Sequence, residues 1–465
     1  MNLGVSLSVT WGQSARRIVT LAWPVLVGQL SVVAFGIIDT LLVARHSSGE
    51  LAALAVGGAL YFTIFIGLMG AVSALGPIVG QLLGAGKHAE AGAQLHQAAW
   101  LALLLSIAGC ALLLMPGPLV ALAQLTPELD GVVRTYLATL ALALPASLLF
   151  SAFRVFNTAI SRPKAVMAIL LAALALKAPL SLLLLGGVPS IGWPALGLRG
   201  CAVATVIVMW LQVLAAVVLL RRDAGYTPFA VFTAAQRGLR ALDPLAQRAL
   251  LKLGVPMGLS VLIEVSGFTL MAVFIARLGT TPVAAHQLTA NVMSVLFMFP
   301  LALSQATSAL VAQHVGARQM HAAQRLGWHG VALALGLSMV FGVALLTMRG
   351  PLVALYTPDA AVAAAAMPLM AWMALFHVFD AAQTMAAFVL RSWRVASAPM
   401  FIFAAALGGV GLGGGYLLAF DVLGDTPLWL QGAPGYWVAG SAGLALAALA
   451  LLGLLAWVLR VRLRE

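Results

Sequence analysis

Charge is what this chain of 465 residues has least of. Its 25 Lys+Arg and 13 Asp+Glu amount to 8% of the sequence, against roughly 25% in an ordinary soluble domain. Apolar residues make up 63% and the mean hydropathy is +1.06. The chain lacks the polar side chains that a water-soluble surface of this size requires. A soluble enzyme, a disordered chain and a basic nucleic-acid binder are excluded together. Cys110 and Cys201 are too few for a disulfide framework and read as small apolar fillers. The start of the chain has no basic stretch followed by a short apolar run and a small-residue cleavage site, so no removable signal peptide is expected. There is no G-x-x-x-x-G-K-[ST] stretch to hold ATP, and no HExxH or paired-Asp motif of an intramembrane protease. A proton-pumping respiratory subunit needs a series of mid-membrane lysines, and only Lys177 lies within a span. The expectation is therefore no enzyme and no bound cofactor.

What is abundant is continuous apolar sequence. Stretches long enough for a bilayer core fall at about 18–44, 51–80, 95–115, 131–153, 165–186, 200–220, 253–277, 283–313, 328–348, 360–390, 398–420 and 437–459. A membrane β-barrel would alternate polar and apolar residues instead. The chain is read as an all-α integral membrane protein with twelve transmembrane helices. The net charge of +12 is then a matter of sides, because basic residues mark the cytoplasmic face. With the N-terminus inside, only Arg45, Arg134, Arg199, Arg277 and Arg349 fall outside, and Lys177 falls within helix 5. All other basic residues, Arg154 and Arg391 among them, fall inside. Both termini are expected in the cytoplasm of a bacterial-type inner membrane.

The sequence also repeats. Shifted by 232 residues, its halves align without a gap over two helices: Pro24 on Pro256, Ala44-Arg45 on Ala276-Arg277, Gln81 on Gln313, Gly84-Ala85 on Gly316-Ala317. GPLVAL occurs at 117–122 and again at 350–355. Two six-helix lobes, 1–222 and 253–465, are expected around a cytoplasmic linker, 223–252. An even number of helices per unit relates the lobes by a pseudo-two-fold along the membrane normal, as in secondary transporters with parallel repeats.

Three of the thirteen acids lie inside spans: Asp39 in helix 1, Glu264 in helix 7 and Asp380 in helix 10. A charge at mid-membrane costs at least ~2.5–3.5 kcal/mol, so it persists where it faces a cavity, has a partner or binds a cation. Around Glu264, Ser260 lies at i−4 and Phe268 at i+4, on the same helix face. Around Asp380, His377 lies at i−3 and Gln383 at i+3. Phe35 precedes Asp39 by one turn. Lys177 either pairs with Asp39 or snorkels to the interface. His377 and His286 read as packing or hydrogen-bonding residues. Some of the aromatic side chains are expected to offer π-faces to cationic ligands.

LAWPVLVGQLSVVAFGIIDTLLVAR, with its proline, Gly28-Gln29 and Asp39-Thr40, resembles the first helix of the multidrug and toxic compound extrusion (MATE) family. VGQLLGAGK (79–87), VAAHQLTANV (283–292) and FDAAQTMAAFVLRSW (379–393) resemble that family's loop after helix 2, the start of helix 8 and the end of helix 10. The resemblance spans nearly the whole chain. It implies that Glu264 and Asp380 are the second-lobe cation pair of the NorM-like bacterial branch, metal ligands if the ion is Na⁺. It likewise implies that Asp39 is the first-lobe aspartate used for proton coupling or substrate binding. Phe35, Phe268 and Gln29 are the expected substrate contacts, with Ser260, His377, Gln383 and Lys177 supporting them. Two features depart from the family pattern: Lys177 can neutralise Asp39, and Phe376-His377 stand where a tyrosine of the cation site would be sought.

The activity this implies is antiport by alternating access, in which Na⁺ or H⁺ enters as an amphipathic, often cationic molecule leaves. One charge moving down 100 mV releases ~2.3 kcal/mol, and a tenfold concentration ratio adds ~1.4 kcal/mol. The expected partners are the lipid bilayer and small organic substrates, with no nucleic acid, and the chain is expected to be a monomer. The alternative reading is a flippase for lipid-linked precursors, which calls for several cationic side chains within the spans.

Overall fold

The computed structural model describes residues 10–117, 126–187, 194–233 and 238–463. Most of the first GPLVAL copy, together with Arg237, Arg464 and Glu465, lies outside them. All regular elements among the described residues are helical: α1 (Trp11–His46), α2 (Ser48–Val72), α3 (Leu75–Gly84), α4 (His88–Leu114), α5 (Pro127–Ala141), α6 (Leu144–Ala159), α7 (Pro163–Gly186), α8 (Leu198–Arg222), α9 (Pro244–Ala276), α10 (Thr280–Gly316), α11 (Met320–Tyr356), α12 (Ala360–Ser392), α13 (Ser397–Phe403), α14 (Gly414–Ala419) and α15 (Ala433–Arg462). Eleven spans are long and apolar enough to cross a membrane, and α5 with α6, bent by 46°, make a twelfth if the pair is one span. Between α13 and α14 the glycine-rich segment Ala404–Gly413 runs as a π-helix.

The helices run past the apolar stretches because polar residues at their ends satisfy the free backbone groups. Ser47 caps α2 at the Glu50 N–H, and Asp359 caps α12 at the Ala361 and Val362 N–H groups. Glu128 and Asp130 occupy the first turn of α5, where a helix dipole favours negative charge.

Four helix connections share one turn. Gly86, Ser161, Arg318 and Arg394 all have positive φ. The residue after each donates its N–H back to the helix just ended: Lys87 to Leu82 (2.9 Å), Arg162 to Asn157 (2.7 Å), Gln319 to His314 (2.9 Å) and Val395 to Leu390 (3.0 Å). This is the Schellman closure. It recurs between corresponding helices of the two halves, in step with the sequence repeat.

The chain divides into two compact units, Val27–Gly258 and Met1–Leu26 with Leu259–Glu465. The units part within α1, at 26/27, and within α9, at 258/259. Both helices are uninterrupted, 36 and 33 residues long. Each carries a proline, Pro24 or Pro256, two residues before the crossing point, and the crossings are spaced by the repeat offset.

In the Val27–Gly258 unit, α2 and the start of α9 touch backbone to backbone. A Cβ on Gly70 would come within 2.6 Å of the Gly258 Cα, one on Gly258 within 2.7 Å of the Gly67 carbonyl, and one on Gly254 would strike the Ala71 carbonyl. Small residues at this spacing let membrane helices approach closely.

The segment between α8 and α9 is docked on α4. Trp100 Nε1 donates to the Arg240 carbonyl and Gln97 Nε2 to the Ala241 carbonyl, both at 2.8 Å. The His96 ring meets the Val231 carbonyl at 2.7 Å. Arg162 pairs with Asp223 at 2.7 Å and lies 4.4 Å over the Tyr226 ring. The Gly225 N–H and the Arg162 guanidinium hold the Asp223 carboxyl below its ordinary range, while burial pushes the Tyr226 hydroxyl up to about 12.

In the other unit, α12 packs on α10, α11 and α15. Its middle is lined with small buried residues, including Ala381, Ala382, Ala386 and Ala387, so the neighbouring helices press close to Asp380 and Gln383.

Candidate functional site

The second-lobe acids converge. Glu264 comes from α9, beyond the crossing point, and Asp380 from α12. The Gln383 amide stands between them: its Nε2 lies 3.0 Å from Glu264 Oε1, 2.9 Å from Asp380 Oδ1 and 3.1 Å from Thr384 Oγ1. Gln383 and Asp380 share a helix face by their i, i+3 spacing, and α9 supplies Glu264 across the helix interface. Gln383 Oε1 is buried without a hydrogen-bond partner. Two carboxylates, an amide oxygen free to accept and a threonine hydroxyl make a set of hard oxygen donors of the kind that suits hard cations. Ionised together, the carboxylates repel across a low-dielectric interior; a cation or a proton relieves that repulsion. Among the described residues there is no group of three or more His, Cys, Asp or Glu fit to hold a metal ion, so any metal held here takes its remaining oxygens from Gln383, Thr384 or water. Arg391, also on α12, is buried with its guanidinium 4.5 Å over the Phe388 ring and interacts electrostatically with Glu264.

One turn along α9 from Glu264, Phe268 joins an aromatic group with Phe376, Trp437 and His286. Ring centroids lie 6.4 Å (Phe268–Phe376), 6.2 Å (Phe268–Trp437), 5.7 Å (Phe268–His286) and 5.3 Å (Phe376–Trp437) apart. Phe376 likewise precedes Asp380 by one turn of α12. His286 and His377 are fully buried, and neither has a hydrogen-bond partner at either nitrogen. Ser260 is buried one turn before Glu264.

Asp39 is placed differently. In the Val27–Gly258 unit its Oδ1 lies 3.0 Å from Lys177 Nζ, and Ser181 donates to it at 3.4 Å. Lys177 also donates to Thr205 Oγ1 at 2.6 Å and to the Cys201 carbonyl at 3.2 Å. The lysine is thereby held at Asp39 instead of snorkelling. Phe35 is buried in a cluster with Ala173 and Val208. Gln29, also buried, receives a hydrogen bond from Arg154.

Several residues of these sites were not singled out from the sequence, among them Thr384, Ser181, Thr205, Trp437, Arg154 and Arg391. Trp437 read as one of many aromatic side chains. Arg154 and Arg391 were counted with the cytoplasmic charges, because counting by side assigns every basic residue near a span end to the loop. The expected span 131–153 stops one residue short of Arg154, whereas α6 continues to Ala159.

The MatE family model matches residues 24–183 and 256–417, one match in each half of the chain. The chain is 40% identical over 453 residues to the probable multidrug resistance protein NorM of Aromatoleum aromaticum, covering 97% of this chain and 95% of that one. It is 32% identical over 421 residues to multidrug resistance protein PmpM of Pseudomonas aeruginosa, covering 89% and 87%. Among solved structures, an outward-facing multidrug resistance MATE family transporter of the MOP superfamily superposes with a TM-score of 0.84 at 15% identity over 97% of both chains. The eukaryotic MATE transporter AtDTX14 gives 0.84 at 17% identity over 96% of both.

Proposed function

The chain belongs to the MatE family, and from that premise we propose that it exports amphipathic, often cationic organic molecules in exchange for Na⁺ or H⁺ entering from outside. The observation that carries this reading is the Gln383 amide bridging Glu264 and Asp380. It keeps two carboxylates of separate helices within reach of one small cation. Occupation by that cation cancels charge which would otherwise attract a positively charged passenger. The passenger leaves when the ion arrives, and the ion gradient sets the direction. The aromatic group of Phe268, Phe376 and Trp437 supplies flat apolar faces with negative π-density beside the acids. Asp39, held by Lys177, takes part when a proton or substrate displaces that lysine. The work is transport rather than catalysis, in a bacterial inner membrane with both termini in the cytoplasm.

The test is ethidium efflux from energised cells carrying Glu264→Gln or Asp380→Asn. Each variant is expected to lose at least about tenfold in efflux rate at equal expression, which is ~1.4 kcal/mol of coupling. Wild-type rates in both variants contradict the assignment.

A further inference from the structure

The Val27–Gly258 unit contains a guanidinium that no acid answers. Arg154 projects from α6 toward α1 and α2. Its Nη1 donates to Gln29 Oε1 at 3.4 Å and its Nη2 to the Met69 sulfur at 3.1 Å. The first contact is long for a hydrogen bond, the second acceptor is a weak one, and neither partner is charged. Gln29 and Met69 lie inside the apolar stretches 18–44 and 51–80, so the side chain points into the span rather than snorkelling to its end. Among the described residues no carboxylate forms an ion pair with Arg154, whereas the fully buried Lys177 is matched by Asp39 at 3.0 Å. Asp39 and Lys177 cancel, and Arg154 leaves the interior of this unit with one positive charge. Arg154 as a whole residue is half-buried. An intramembrane charge of this kind is costly and points to function. A guanidinium is a planar fork of donors that fits a carboxylate with two parallel hydrogen bonds, and it gives up its hydration more readily than an ammonium.

We propose that Arg154 is a substrate subsite that takes the carboxylate of zwitterionic passengers, with Gln29 and Met69 steadying the guanidinium until the carboxylate arrives. This rests on the reading of the chain as a drug exporter and assigns a residue to the acid end of those passengers that carry one. An unmatched fork also fits a phosphate, which a lipid headgroup would supply, so the test separates the two sources.

Rhodamine 110 is a fluorescent zwitterion with a free carboxylate, and rhodamine 123 is its methyl ester. Fluorescence anisotropy with the purified full chain in maltoside detergent gives Kd for each dye. The preference for acid over ester is expected to fall about tenfold in Arg154→Gln, or ~1.4 kcal/mol. Arg154→Lys keeps the charge without the fork, so it should fall by less, and it carries the test alone if Arg154→Gln does not fold. An unchanged preference overturns the subsite, as does an equal weakening of both dyes, which would make Arg154 only a clamp on Gln29 and Met69. A drop seen in phospholipid vesicles but not in detergent assigns the fork to a lipid phosphate and overturns it too. Rhodamine 123 transport by the wild type is a separate measurement. If no ion gradient drives it, the exporter reading fails whatever the dye preference.

Discussion

Gln383 donates to two carboxylates at once, so removing it leaves Glu264 and Asp380 facing each other without a neutral group between them. Gln383→Leu is expected to reduce ion-driven efflux by about tenfold or more while expression is kept; an unaffected rate would show that the bridge is incidental. The Asp39–Lys177 pair obeys another rule. Breaking a buried ion pair from one side strands a charge at a cost of about 3–5 kcal/mol, whereas removing both partners costs far less. Asp39→Asn and Lys177→Met should each lower the thermal midpoint of the purified protein, and the double variant should recover most of the loss. Additive losses would contradict the pairing. At this scale the sequence was partly legible. Asp380 and Gln383 share a face by spacing alone, as do Glu264 and Phe268. That Glu264 reaches the same amide depends on how closely α9 approaches α12, and spacing along one helix carries no such distance.

The contact of α2 with the start of α9 depends on the absence of side chains. A Cβ on Gly258 would meet a backbone carbonyl, which cannot rotate aside. Gly258→Leu is expected to destabilise by about 1–3 kcal/mol through overpacking, seen as a lower detergent melting temperature; full stability would contradict the close approach. The docked segment between α8 and α9 makes a pH-dependent prediction. Asp223 has a carboxyl held below its ordinary range, so its contribution is present above the unfolded carboxylate pKa and is lost as pH falls through the lowered folded value. The melting difference between wild type and Asp223→Asn should therefore be present at pH 7 and shrink toward pH 3; a difference that persists there would contradict the role. Helix existence was legible from unbroken apolar runs, whereas helix ends were not. Caps such as Asp359 and turns such as those at Ser161 and Arg394 carry the chain past the apolar stretch, and arginine at positive φ is no turn signal. The break of α5 and α6 at 142–143 lies in sequence as apolar as its surroundings and leaves no mark in hydropathy.

The molecule as a whole is a duplicated unit whose halves enclose opposite charge within their spans. In the Val27–Gly258 unit, Asp39 and Lys177 cancel and Arg154 remains. In the other unit, Glu264 and Asp380 outnumber Arg391. The duplication was plain in the sequence, because Pro24 and Pro256, Gln81 and Gln313, and the paired Gly-Ala steps keep one offset. The division into compact units was not, since α1 and α9 continue unbroken through their crossing points and nothing in their composition changes there. Under the proposed antiport, the half with excess buried acid is the one that would take the driving cation. The most direct measurement is ethidium uptake into inside-out vesicles holding the purified chain, driven by an imposed Na⁺ or H⁺ gradient and compared with Glu264→Gln/Asp380→Asn. Uptake driven by one of these gradients in the wild type, and abolished in the double variant, is the predicted result. A double variant that follows the gradient as well as the wild type does would contradict the account.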